Sequence, residues 1–220
     1  MMKLYSLGLW SVFVSIGVTP FLLFLTAGEL GIPQNSPVTP IQMGEIRFQE
    51  ATHAARVLNA QLLMLSFPDL HLPYIPIQTL VESVLPVVRE HKFDAIFSFH
   101  PHEITPFFDH PDHNQVGLLA QAVGAASDVA HFMPEHPPLV QRPGLYLWTT
   151  QKVLANRELK LRKNCRKNRD FYLQTSYPSQ FSREKYAEWR GIFEVITRKK
   201  AKKKRKNKDA QHAEYYLQVR

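Results

Sequence analysis

Cysteine is all but absent: Cys165 is the single one in 220 residues. A lone cysteine closes no disulfide within the chain and builds no cysteine-rich zinc site, so any metal here has to be held by histidine and carboxylate. With no histidine near it in sequence, Cys165 reads as a bystander. Glycine is sparse, at nine residues, and no internal repeat is visible. With 45% hydrophobic and 21% charged residues, the composition excludes wholesale disorder, collagen and coiled coil. What remains is about one globular domain's length of chain.

Acidic residues are missing from 198–208 (RKKAKKKRKNK), where nine residues are basic. The whole chain carries a formal +8, so all of its excess charge sits in that run and the rest, at 18 basic against 19 acidic residues, is close to neutral. A nucleic-acid-binding body would itself be basic, which argues against that class. The run holds no aromatic residue to stack on bases, and like-charge runs of this kind are usually solvated. Contact of 198–208 with an anionic membrane is left open, at about 1 kcal/mol per basic residue near the surface.

Charge is also missing from 7–27 (LGLWSVFVSIGVTPFLLFLTA). About 20 apolar residues span a bilayer, so a signal segment or membrane anchor is one reading. The other is a short helix followed by a buried strand over 21–26, split by Gly17 and Pro20 and ending in a turn through Gly28.

Beyond it, 32–44 is rich in proline, serine and asparagine and reads as loop. The spacing predicts a helix over 45–59, a strand over 61–66, a helix over 77–91 disturbed at Pro86, a strand over 95–99, a polar loop over 100–113, a helix over 114–126, a strand over 145–148 and a helix over 182–197. Strands alternating with helices predict an α/β fold with a mostly parallel sheet, Rossmann-like, with helices on both faces. Ligands in such folds bind beyond the carboxyl ends of the strands. Three predicted loops emerge there: 27–31, 67–70 and 100–113.

Histidine is plentiful, at ten residues, and His100, His102, His110 and His113 crowd the third loop. In His110-Pro111-Asp112-His113, two imidazoles and a carboxylate open a predicted helix. Such a group can ligate zinc or can orient and charge its own members; a solvated polar loop is the plainer reading, and it is the one taken for His100 and His102. A catalytic zinc takes three protein ligands and keeps one open position, so donors from another strand end would be required. Arg47 and Glu50 can be a surface i,i+3 pair, and Asp69 and Glu29 can be plain turn residues.

His110-Pro111-Asp112-His113, followed by Asn114-Gln115-Val116-Gly117, resembles the H-P-D-H-x-x-x-G motif of the LmbE-like / PIG-L de-N-acetylase family. Thr26-Ala27-Gly28-Glu29-Leu30-Gly31 resembles its T-x-G-E-x-G turn. Arg47, Glu50, Ala54, Ala55 and Leu58 resemble its R-x-x-E-x-x-x-A-A-x-x-L helix, Phe67-Pro68-Asp69 its aspartate after a strand, and Tyr177-Pro178-Ser179-Gln180 its late S-Q element. The pieces occur in the family's order over about 15–195.

The resemblance implies a zinc-dependent hydrolase that removes acetyl from an N-acetylglucosamine-type conjugate. It implies His113 as zinc ligand, His110 as the group that polarises the oxyanion, Asp112 as the residue that orients the neighbouring histidine, and Arg47 and Asp69 as sugar-binding residues. The family's first motif, A-H-P-D-D-E, is absent from this sequence, and residues 1–17 contain no Asp or Glu. The expectation is therefore an N-terminally incomplete domain over 1–197 lacking its first central strand, with zinc weak or absent and activity impaired. The His110–His113 loop is then expected to be exposed. An inactive remnant or binding module of the same fold is the alternative. A basic disordered insertion is expected over 198–209 and a terminal strand over 210–220. The location implied is cytoplasmic, with membrane association through 198–208 left open.

Overall fold

A computed structural model of the chain describes residues 18–102, 110–149, 157–162 and 210–219, the last two stretches and Thr149 by their backbone alone. The predicted helix over 182–197, the late S-Q element, Cys165, the basic run and residues 1–17 lie outside the described residues. The chain divides into two compact units, 1–69 with 159–214 and 70–158 with 215–220.

In the first unit, strand β1 (Phe21–Phe24) pairs in parallel with β2 (Gln61–Met64), Phe21 opposite Gln61 and Phe24 opposite Met64. The apolar run before the Gly28 turn is thus a sheet strand with Leu22 and Phe24 buried. It is two residues shorter than the spacing predicts, and Gly28 takes a positive φ of 71° in the turn beyond it. Among the described residues no helix is long and apolar enough to cross a membrane.

Helix α1 (Pro40–Val57) connects the two strands and starts at Pro40 rather than at 45. Thr39 is its N-cap: the Gln42 amide donates to Thr39 Oγ1 (3.3 Å), and the Thr39 amide donates to Gln42 Oε1 (2.9 Å). This reciprocal pair satisfies amides that a helix start otherwise leaves open, and Pro40 loses nothing in the first turn, where its missing N–H would have no partner. Met43, Arg47, Glu50, Ala51, Ala54 and Ala55 form the buried face.

In the second unit, a single 3-10 turn (Leu72–Tyr74) leads to α2 (Ile77–His91), whose bounds are those the periodicity predicts. Pro86 lies inside α2 without ending it. A proline there removes one backbone hydrogen bond and costs about 3 kcal/mol, but Leu80, Val81, Val84, Leu85 and Val88 hold the helix down on both sides of it. Lys92, at φ 51°, closes the helix in a left-handed conformation. Strand β3 (Ala95–Phe99) then pairs in parallel with β4 (Gly144–Thr149) across helix α3 (Pro111–Ala126). Phe97 and Tyr146, opposite one another in register, stack at 4.8 Å. Ala120 of α3 packs with Leu145 and Leu147 of β4, and Ile96 of β3 joins them. Strand β5 spans Arg157–Arg162, and β6 (Ala210–Val219) pairs antiparallel with β4 through Tyr215–Val219, Val219 opposite Leu145 and Tyr215 opposite Thr149.

Arg89, 3% exposed, organises the far end of α3. Its Nε donates to Ser127 O (3.2 Å), Nη2 to Ala126 O (2.9 Å) and Val129 O (2.8 Å), and Nη1 to the carbonyls of Phe132, Met133 and His136 (2.7–2.9 Å). The last carbonyls of a helix carry its negative pole, so a cation is the right group to close it. The same guanidinium fixes the turns after the helix. Arg89→Met should therefore lower the unfolding free energy by about 3 kcal/mol, and Arg89→Lys should recover little, because an ammonium has three donors and no planar fork. Chemical denaturation of the three proteins checks this.

Candidate functional site

The predicted site residues fall into two groups, one in each unit. Arg47 and Asp69 belong to the first, and His110, Asp112 and His113 to the second.

In the first unit the parallel pairing of β1 and β2 runs on past both strands, through Leu65 N to Phe24 O (2.7 Å) and Phe67 N to Leu25 O (3.0 Å). This delivers the Gly28 turn and the Pro68-Asp69 turn side by side. There Glu29 and Asp69 lock the two turns together. The Asp69 amide donates to Glu29 Oε1 (2.8 Å), and the Leu30 amide donates to Asp69 Oδ2 (3.2 Å). Glu29 is therefore no plain turn residue, as its position alone suggested.

Arg47 rises from α1 into the same region. It is 4% exposed, and Glu50 beside it is buried as well, so the pair is not a surface contact. Arg47 Nη2 donates to Gly31 O (3.1 Å) and Nη1 lies 3.9 Å from Glu50 Oε2. Nε and Nη1 have no hydrogen-bond partner among the described residues. Burial pushes the guanidinium pKa down, and the negative charges of Glu50 and then Asp69 hold it up. A buried cation with unused donors is an anion- or carbonyl-binding group in waiting.

In the second unit α3 begins three residues earlier than the spacing predicts, so Pro111, Asp112 and His113 form its first turn and His110 is its N-cap. Gly117 makes this possible. A Cβ there would stand 2.6 Å from Phe99 O and 2.8 Å from Pro101 N, so only glycine lets α3 lie against the end of β3. One turn back, the His113 ring stacks on Phe99 at 4.1 Å and 8°, and the His110 ring lies 4.8 Å from that of His113. His110 Nδ1 is buried with no hydrogen-bond partner among the described residues. The expectation of an exposed loop is corrected in this respect: the imidazoles are half-buried and Asp112 is fully buried.

Asp112 has a role its position did not show. Its Oδ2 accepts the Leu70 amide (2.7 Å) and its Oδ1 the Leu72 amide (3.2 Å). Both oxygens hold the backbone that precedes α2, from the first turn of α3, where the helix dipole favours negative charge. His100, expected to be solvated, is 5% exposed; its amide donates to Trp148 O and its Nδ1 accepts the His102 amide (3.1 Å). His102 itself is exposed.

Among the described residues, no three His, Cys, Asp or Glu side chains converge as a metal site. His110 and His113 supply two adjacent imidazoles, while the Asp112 oxygens are taken up by amides. These residues alone do not meet the three-ligand requirement of a catalytic zinc.

The architecture is that of an α/β protein with its chemistry-bearing histidines just beyond the carboxyl end of a parallel strand. Residues 6–123 match the family model described as PIG-L, GlcNAc-PI de-N-acetylase, which is more than half of the sequence. The chain belongs to the PIG-L family.

Its fold is similar to that of an N,N′-diacetylchitobiose deacetylase from Pyrococcus horikoshii complexed with an inhibitor (TM-score 0.83, 19% identity, 97% of this chain and 77% of that one). It is similar also to the conserved protein TT1542 from Thermus thermophilus (TM-score 0.73, 21% identity, 99% and 89%). A third relative is GalB, the 4-carboxy-2-hydroxymuconate hydratase of Pseudomonas putida (TM-score 0.75, 15% identity, 98% and 90%). No curated protein is significantly similar in sequence.

Two substitutions probe how the site is built. Gly117→Ala should destabilise the protein by about 2 kcal/mol, because the new methyl meets backbone rather than a side chain that can move; thermal unfolding checks it. Asp112→Ala should cost about 3 kcal/mol by leaving two amides without their acceptor. Hydrogen exchange should then speed up at Leu70 and Leu72 in particular.

Proposed function

We propose that this chain carries a de-N-acetylase site, which acts on an N-acetylglucosamine-type conjugate and releases acetate and a free amine. The observation that carries the reading is the His110–His113 pair at the start of α3, backed by Phe99 and held by Gly117, inside the stretch that matches the family model.

In this reading water adds its oxygen to the acetamide carbonyl carbon, the C–N bond breaks, and a proton goes to the departing nitrogen. His110 lies beside the carbonyl and, with a proton on the ring nitrogen that faces it, donates a hydrogen bond to the oxygen on which negative charge develops; its Nδ1 has no other partner among the described residues. In the first unit, the donors that Arg47 has left over suit it to bind a sugar hydroxyl, and Asp69 holds the turn beside it. His113 is the residue we assign to zinc, the cofactor that the family match supports. Because the described residues do not complete that site, no step is routed through the metal.

The alternative is a binding module of the same fold without turnover. Acetate release decides between them. The protein supplied with zinc and an N-acetylglucosamine conjugate should release acetate. His113→Ala should abolish that release and His110→Ala should slow it by about 100-fold or more. Release that persists in His113→Ala refutes the assignment, and none from the wild type leaves the binding module.

A further inference from the structure

We draw no further inference here: the strongest candidate, the cleft of about 850 Å³ at the amino ends of β3 and β4 lined by Lys92, Asp94, Leu139, Val140 and Arg142, carries nothing, because the buried cation at its edge, Arg89, is committed to backbone carbonyls and nothing in the structure shows what occupies it.

Discussion

A buried carboxylate in the first turn of a helix is the constraint on which the second unit's geometry turns. Asp112 cannot be left alone in an apolar interior, because an ionised group without partners costs several kcal/mol there. It finds its partners in two backbone amides some forty residues earlier in the chain, those of Leu70 and Leu72. That one choice sets the path of the chain from Asp69 into α2. It puts Leu70 into a left-handed conformation and fixes where α3 starts relative to the segment before α2. Gly117 answers from the other side of the helix, letting α3 rest on the last carbonyl of β3, and Arg89 closes the opposite end. The histidines between these points inherit their positions from them.

Much of this is legible in the residues. The bounds of α2 and β3 emerge from periodicity alone, because each carries a run of apolar side chains at one unmistakable spacing and ends against a charged or polar residue. The H-P-D-H-x-x-x-G pattern points to the right place for a chemical reason: the glycine is there because no other residue admits the contact. Periodicity misses the start of α1 because its first turn is rich in proline and polar residues and looks like loop. Thr39-Pro40-Ile41-Gln42 is nonetheless a capping box, readable from the threonine and the glutamine three residues on. Long-range partners are not legible at all. That Glu29 holds the Asp69 amide, or Asp112 those of Leu70 and Leu72, depends on strands and turns meeting in space. Burial of His100 is of the same kind, set by its amide bond to Trp148 O in the neighbouring strand.

Fold and function separate here in an instructive way. Relatives of similar architecture include a deacetylase and a hydratase, at identities too low to carry more than the fold. An α/β frame offers the same loops beyond its strand ends to either chemistry. What distinguishes this chain is the match of residues 6–123 to the family model and the particular donors it brings forward. Arg47 offers a buried guanidinium with two nitrogens unused, and His110 a buried imidazole nitrogen unused. Unsatisfied buried polar atoms are uncommon in folded proteins because each one lowers stability. That they fall on residues of the family motifs, one in each unit, is what supports the roles proposed for them.

The two units handle charge by opposite means, and this bears on what each can do. In the first, the acids Glu29 and Asp69 spend themselves on backbone amides while the cation Arg47 keeps donors in reserve. In the second, the cation Arg89 is committed to carbonyls through all three of its nitrogens, and the acid Asp112 to amides, so that neither is free to act on a ligand. A group whose hydrogen-bonding capacity is exhausted stiffens its surroundings; one with capacity left over recognises something else. By that criterion Arg89 and Asp112 stiffen the fold, while Arg47 and His110 are residues with capacity left over, and a substitution's consequence depends on which kind of group it removes. Loss of Asp112 takes the acceptor from the Leu70 and Leu72 amides, whereas loss of His110 leaves both of those bonds standing.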